Sequence, residues 1–151
     1  TGGRMASKLR TASWVVLALL GAFVLLVSFV SAWLAYSGGD YQIGGVPVAE
    51  VAAGREGVLT ALRAIRGTSA AYAAGFAVLY LVVVLGPYRR GEVWSWWALL
   101  AAALAIGLLI LARVPLLGIP FGTGGSGPGF SQTAVIAFGL LLDVKRVIRK
   151  G

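Results

Sequence analysis

Arginines at the ends of apolar segments are the residues of this sequence whose chemistry most suggests a binding site. Arg63 and Arg66 are three residues apart, which places both on one face of a predicted helix. Arg113 closes the next apolar segment, at a similar predicted depth. A guanidinium group is a fork of N–H donors that suits phosphate and carboxylate oxygens. With Tyr72 and Gln132 as further hydrogen-bonding groups, the pattern predicts a ligand-binding site for a lipid head group or another small anion.

The same arginines have a second interpretation, as anchors at a membrane–water interface. Their charges would then be balanced by acids of the preceding loop, namely Asp40, Glu50 or Glu56. Long cationic side chains near a helix end can extend to the head groups, so such anchors need no ligand. The residue pattern leaves both interpretations open and favours the anchors.

A second group of ionisable residues lies at the other ends of the apolar segments. Glu92 directly follows the basic pair Arg89 and Arg90, and Asp143 is the one acid of the last segment. A proton or cation relay through Asp143 would need a second titratable group at membrane depth, and the sequence offers none. We therefore predict that Asp143, Arg89, Arg90 and Glu92 form structural ion pairs.

Missing residue types narrow the chemistry further. The sequence has no Cys and no His, which excludes thiol chemistry and removes the most frequent metal ligand and general base. No Lys lies inside an apolar segment to activate a Ser or Thr nucleophile. The glycine-rich run 122–127 lacks the Lys-Ser/Thr ending of a phosphate-binding loop. We expect no metal, no cofactor and no catalytic activity.

Four hydrophobic blocks must position these groups, over about residues 14–36, 61–85, 93–112 and 131–144. Hydrophobic residues make up 59% of the 151 residues and charged residues only 12%, with a mean hydropathy of +0.90. So few polar groups cannot cover a surface in water. A bilayer core about 30 Å thick needs roughly 20 apolar helical residues per crossing. The sequence therefore predicts an integral membrane protein that crosses the bilayer four times.

The predicted fold class is all-α, a four-helix transmembrane bundle. Residues 1–13 are predicted to form a cytoplasmic tail and residues 14–151 a single membrane domain, with helices at about 14–36, 58–86, 92–113 and 131–148. A tight turn from Gly86 to Gly91 is expected to separate the second and third helices, with Pro87 and Gly91 as the residues that stop and restart them. The pair Gly44-Gly45 predicts a turn in the loop after the first helix. The segment 114–130, which holds three prolines and many glycines, is predicted to form no helix.

The distribution of Lys and Arg predicts the orientation. The N-terminal tail, the turn 86–92 and the C-terminal tail 145–150 are basic, whereas 114–130 carries no charge. The positive-inside bias therefore places both termini in the cytoplasm, in a cell inner membrane. The net charge of +8 is assigned to contacts with anionic membrane lipids, and no nucleic acid is expected as a partner.

Small residues on the second predicted helix indicate a packing surface. Gly67, Ala71 and Gly75 are spaced so that another helix can approach closely. This face is expected to form a seam within the bundle or a contact with other membrane subunits.

Two short runs resemble a diffuse group of small bacterial four-helix membrane proteins of unknown function. They are LRAIRG at 62–67 and YRRGEVWSWW at 88–97. The resemblance covers about residues 58–113 and implies four helices in a bacterial cytoplasmic membrane. It implies no catalytic residue.

Two hypotheses for function follow. The first is a non-catalytic integral membrane protein that serves as a small accessory or structural subunit of a membrane complex. The second is a lipid or small-anion binding or transport protein that uses the arginines. A membrane enzyme is the least favoured class, because no catalytic constellation is present.

Overall fold

The computed structural model describes residues 2–117, 126–144 and 147–148. This part of the chain is mostly helical, as predicted. Its elements are α1 (Gly2–Tyr36), β1 (Gln42–Ile43), β2 (Val46–Pro47), α2 (Val48–Ala52), α3 (Glu56–Val83), a π-helical turn (Val84–Tyr88), α4 (Val93–Leu117) and α5 (Ser126–Leu142).

Three helical stretches are long and apolar enough to cross a membrane. They are Ser7–Tyr36, Glu56–Tyr88 and Val93–Leu116. Less than a quarter of the most apolar window of each is buried within the chain, so most of their apolar side chains face outward. Such surfaces suit hydrocarbon, where a helix satisfies its own backbone hydrogen bonds. Ser131–Leu142 is apolar but shorter, and four crossings stay a prediction.

The second helix does not end at Gly86 as predicted, and Pro87 does not break it; of the predicted turn from Gly86 to Gly91, the structure has the reversal at Gly91. Helical structure continues from α3 through a π-helical turn that contains Pro87. A proline cannot donate to the carbonyl four residues earlier, and a widened turn accommodates its ring. The chain reverses only at Gly91, whose φ is +89°. There the N–H groups of Gly91 and Glu92 donate to the carbonyls of Tyr88 and Pro87, the two bonds of a Schellman motif.

The prediction of no helix over 114–130 is wrong at both ends of that segment. α4 continues through Pro115 to Leu117, and α5 begins at Ser126 with Pro128 in its first turn. A proline is tolerated in a first turn because the N–H groups there have no intrahelical partner. Residues 118–125 lie outside the described residues.

The outer bounds of the first and last helices also differ from the prediction. α1 begins at Gly2, so residues predicted as a tail are helical, in keeping with the good helix propensity of Lys and Arg. α5 ends at Leu142 with a turn at Asp143, but Val144, Val147 and Ile148 are again helical. The predicted continuation to 148 is thus interrupted at Asp143, and residues 145 and 146 lie outside the described residues.

A small hairpin follows α1. β1 and β2 pair antiparallel, with Ile43 opposite Val46. The linking residues Gly44 and Gly45 have φ values of +60° and +86°, which suit the two central positions of a type I′ turn. The turn predicted at this glycine pair is confirmed. α2 follows directly, and the N–H of Val48 donates to the Tyr41 carbonyl at 2.8 Å.

The chain divides into two compact units. Unit 1 comprises residues 1–21 and 80–151, and unit 2 comprises residues 22–79. The core of unit 1 is a continuous cluster of large apolar side chains, among them Leu17, Val84, Trp96, Ile136 and Leu140. The buried apolar positions of unit 2 are mostly alanines, together with Tyr41 and Val48.

Candidate functional site

The predicted arginine pair lies on α3 in unit 2, and each side chain holds a different part of the preceding chain. Arg63 donates from Nη2 to the Gly38 carbonyl at 2.8 Å. Arg66 donates from Nε to the Ser31 hydroxyl at 3.1 Å. The two residues thus connect α3 to the last turns of α1 and to the segment after it.

Tyr41 completes this cluster and was not predicted from the sequence. The Arg66 guanidinium lies over its ring, 4.1 Å from the ring centroid, a cation–π contact. Tyr41 is only 8% exposed, because the hairpin turns it towards α3. We call Arg63, Arg66 and Tyr41 the arginine cluster.

Two donors of the arginine cluster have no acceptor among the described residues. They are the buried Tyr41 hydroxyl and the buried Nε of Arg63. A buried polar group without a partner costs about 1–3 kcal/mol, so each marks a place where an acceptor would be stabilising. Of the ten N–H groups of the two arginines, two donate to acceptors in the described part of the chain.

The acids proposed as counter-ions do not pair with the cluster. Over residues 2–117, 126–144 and 147–148, the salt bridge within 4.0 Å is between Arg90 and Glu92. Asp40, Glu50 and Glu56 are all exposed. Among the described residues, therefore, no carboxylate neutralises Arg63 or Arg66.

The other three residues predicted for this site have no described contact with the arginine cluster. Tyr72 is on α3 and is 78% exposed, with no hydrogen bond to the cluster. Gln132 is half-buried on α5 in unit 1. Arg113 belongs to unit 1, and its side chain lies outside the described residues. A role for these three in ligand binding stays a prediction.

The predicted small-residue face of α3 is partly covered. An added Cβ at Gly67 would lie 2.6 Å from the Tyr36 hydroxyl oxygen, so this glycine already receives a side chain of the same unit. At Gly75 an added Cβ would meet no atom within 4 Å, and Ala71 is exposed. The open surface is a stripe at four- and three-residue spacing, which we call the α3 stripe: Ala64, Thr68, Ala71, Gly75 and Val78.

A buried polar cluster in unit 1 was also missed from the sequence. The Ser13 hydroxyl donates to the Gly139 carbonyl at 2.6 Å and accepts from the Tyr88 hydroxyl, also at 2.6 Å. Trp96 donates from Nε1 to the Leu140 carbonyl at 3.1 Å. Both carbonyls belong to the last turn of α5, where carbonyls begin to lack helical N–H partners, and the Leu140 carbonyl also accepts from the Asp143 N–H at 3.2 Å. The Ser13 and Trp96 side chains therefore cap this end of α5.

Close approach within unit 1 depends on glycine. An added Cβ at Gly139 would lie 2.7 Å from Cδ2 of Leu17, which is fully buried. Real Cβ atoms do not come this close without displacement of the neighbour. α1 and α5 thus meet closely at Gly139. A larger residue there would displace Leu17, and loss of the Ser13 hydroxyl would remove a hydrogen bond to the Gly139 carbonyl.

Glu92 forms the one predicted ion pair that the structure describes. It accepts from Arg90 Nε at 3.1 Å and from Trp94 Nε1 at 2.7 Å. The Trp94 bond, and then the Arg90 bond, hold the pKa of Glu92 below its ordinary value. Arg89 instead lies over the Trp14 ring, 4.9 Å from the centroid, and its carbonyl accepts a bond from Arg10.

Asp143 is buried, 6% exposed, in the turn after α5. Its backbone N–H donates to the Leu140 carbonyl at 3.2 Å. The side chains of Lys145 and Arg146, its nearest basic neighbours in sequence, lie outside the described residues. The ion pair predicted for Asp143 stays a prediction.

Neither cluster has the parts of a catalytic or metal site. Among the described residues, no three acidic side chains converge to hold a metal ion. The donors of the arginine cluster can bind an acceptor but cannot activate a nucleophile, because an arginine does not give up its proton. What this geometry supports chemically is anion binding.

No family model, curated protein or solved structure matches this chain.

Proposed function

We propose that the chain is a non-catalytic integral membrane protein and serves as an accessory subunit of a membrane complex. The α3 stripe carries this proposal, because it is a row of exposed and mostly small residues on a helix long and apolar enough to cross a membrane. In lipid, helices associate through close packing of small residues, since apolar surface alone gives little preference for protein over lipid.

The proposed partner is a transmembrane helix of another subunit, packed along the α3 stripe. The stripe residues are spaced four, three, four and three positions apart, which keeps one face of α3 directed at a neighbouring helix. Larger exposed side chains, Ile65, Tyr72 and Leu79, border the stripe on one side and would enclose that helix. Gly75, with open space where a Cβ would be, is the expected point of closest approach.

The test is purification of the full chain from its source membrane in mild detergent, followed by native mass spectrometry. We expect one membrane subunit at a fixed stoichiometry, lost in Gly75→Leu and Ala71→Leu. The matched control is Ala105→Leu, which enlarges an exposed alanine of α4 and should leave the complex intact. A chain that stays monomeric, or a complex that survives both stripe substitutions, would overturn the proposal.

The predicted orientation belongs to this proposal. Four crossings with both termini in the cytoplasm of an inner membrane are supported by the basic residues in the first turns of α1, between α3 and α4, and after α5. Cysteine labelling from each side of the membrane tests it, and a cysteine-free chain needs no background substitutions. Labelling of the two termini from different sides would exclude an even number of crossings.

Binding or transport of a lipid or small anion is the second candidate function. The observation in its favour is the unneutralised charge of the arginine cluster, which has no carboxylate partner in the described part of the chain.

A further inference from the structure

We propose that Arg63, Arg66 and Tyr41 bind a phosphate group, supplied either by the head group of an anionic lipid or by free phosphate. This inference deepens the second candidate function and gives it a defined set of residues. It does not depend on a partner at the α3 stripe.

Charge is the first argument. Arg63 and Arg66 lie on one face of α3, about 4.5 Å apart along the helix axis. Arginine stays protonated at any physiological pH, and no carboxylate among the described residues pairs with either side chain. Two adjacent cations of this kind repel each other, and a single anion between their guanidinium groups would replace that repulsion by two attractions.

Hydrogen-bonding capacity is the second argument. The buried hydroxyl of Tyr41 and Nε of Arg63 have no acceptor in the described chain. Both can donate. Arg66 uses its Nε for Ser31, and its other N–H groups have no acceptor in the described chain. A phosphate group offers several oxygens that can each accept more than one bond, so it suits several neighbouring donors better than a carboxylate does.

The stack of Arg66 on Tyr41 holds these donors together. A guanidinium 4.1 Å from the ring centroid keeps the phenol hydroxyl within the neighbourhood of the Arg66 N–H groups. The contact between Arg63 and the Gly38 carbonyl fixes the second guanidinium against the same segment. The cluster is thus ordered before a ligand arrives, which lowers the entropic cost of binding.

Aromatic residues of unit 2 favour a lipid as the source of the phosphate. Trp33 and Tyr36, in the last turn of α1, are 72% and 69% exposed. Exposed Trp and Tyr at a helix end are typical of the level of the lipid head groups. Arg66 bonds to Ser31, close to these residues along α1, so the cluster lies where lipid phosphates are abundant.

The experiment uses the purified full chain, stripped of lipid in a neutral detergent. It is titrated with phosphatidylglycerol, with diacylglycerol as the same lipid without its phosphate, and with inorganic phosphate. Binding is measured by native mass spectrometry and by the shift in melting temperature. We expect retention of phosphatidylglycerol and none of diacylglycerol.

Substitutions then test the residues. Arg63→Gln and Arg66→Gln should each weaken phosphatidylglycerol binding by about tenfold. The matched control is Arg55→Gln, which removes the same charge from an exposed position in unit 2 and should change binding by less than about twofold. Equal weakening by all three variants would overturn the proposal, since it would indicate general attraction of an anionic lipid to a cationic protein.

Tyr41→Phe separates binding from a purely structural role. It keeps the ring under Arg66 and removes only a hydroxyl that has no partner in the described chain. We expect binding to weaken by about threefold to tenfold, while the melting temperature of the lipid-free protein is unchanged or higher. A Tyr41→Phe protein that binds phosphatidylglycerol as tightly as the native chain would overturn the three-residue site.

Inorganic phosphate distinguishes the two sources. Binding of inorganic phosphate without binding of phosphatidylglycerol would support the site and assign it to free phosphate. Binding of phosphatidylglycerol alone would support a site for a lipid head group. Failure to bind either would overturn the inference. Gly75→Leu should leave all three titrations unchanged, so a failure here is distinct from a failure of the accessory-subunit proposal.

Discussion

Unit 1 and unit 2 hold their helices together by different means. In the core of unit 1, uncharged side chains donate hydrogen bonds to backbone carbonyls, as Ser13 does to Gly139, and large apolar side chains surround them. The charged contacts of unit 1, such as that of Arg10 with the Arg89 carbonyl, are exposed. In unit 2, the buried positions are mostly alanines, and two arginines provide the polar contacts.

The difference follows from the charge of the donor and the solvent that such a charge needs. A hydroxyl or indole bonded to a carbonyl leaves no charge behind, so such a contact is stable in hydrocarbon. A guanidinium retains its charge after one hydrogen bond and needs head groups, water or an anion nearby. The described hydrogen bonds in the core of unit 1 therefore need no counter-ion, whereas the arginine cluster of unit 2 has donors left for a ligand.

Among substitutions that test this difference between the units, Gly139→Ala is expected to cause the largest loss of stability. A Cβ at this position would lie 2.7 Å from Leu17, and such overpacking costs about 1–3 kcal/mol. We expect a loss of about 2 kcal/mol in the free energy of unfolding, measured by steric trapping in bicelles. The control is Gly75→Ala in unit 2, where no atom lies within 4 Å. Equal losses for both would refute a glycine-dependent contact in unit 1.

Ser13→Ala should have the next largest effect. It leaves the Gly139 carbonyl and the Tyr88 hydroxyl without their bonds to Ser13, at an expected cost of about 1–1.5 kcal/mol. Combined with Tyr88→Phe, the loss should be smaller than the sum of the two single losses, because the hydroxyls form one chain. Ser69→Ala, at an exposed site on α3, is the control. Simple additivity would show that the two bonds act independently.

A smaller effect is expected from Arg66→Gln. It removes the contact with the Tyr41 ring and the bond to Ser31, worth together about 1 kcal/mol at a half-exposed site. Chymotrypsin cleavage after Tyr41 should become faster, since this residue would lose its cover. Arg55→Gln should leave the cleavage rate unchanged. Unaltered cleavage in Arg66→Gln would mean that the arginine does not hold the hairpin.

The smallest effect concerns pH and Glu92 in unit 1. Because its bonds to Trp94 and Arg90 lower the pKa of Glu92 in the folded state, its contribution to stability is present above the ordinary pKa of glutamate. That contribution is lost as the pH falls through the lowered value. Glu92→Gln should flatten this acidic part of a stability–pH profile, and Trp94→Phe should reduce it. Trp97→Phe, which is also exposed, is the control and should leave the profile as it is.

Local features of the fold were predictable because their causes lie close together in the sequence. Uninterrupted apolar runs predicted the three long helices, and Gly44 with Gly45 predicted the turn of the hairpin. The prolines misled in two places for one reason. Pro87 and Pro128 were taken as helix breakers, but a π-helical turn accepts the first, and the second stands in a first turn.

The two polar clusters were predictable only in part. The spacing of Arg63 and Arg66 placed them on one face of a helix, as the structure confirms. Tyr41 carries no signal in the sequence, because only the hairpin turns it towards the arginines. Ser13 and Gly139 are 126 positions apart, and no local pattern relates a hydroxyl to a carbonyl so far along the chain.

The sequence by itself determined the solvent and the type of secondary structure, because both depend on composition and on periodicity within a few turns. It also excluded thiol and imidazole chemistry for these residues, since Cys and His are absent. The tertiary structure decided which donors meet which acceptors. Gly139 leaves room for the Leu17 side chain, Ser13 donates to the Gly139 carbonyl of α5, and the Tyr41 ring lies under the Arg66 guanidinium. Such contacts join residues that are distant in the chain, and their energies depend on geometry that only the packed helices and the hairpin provide.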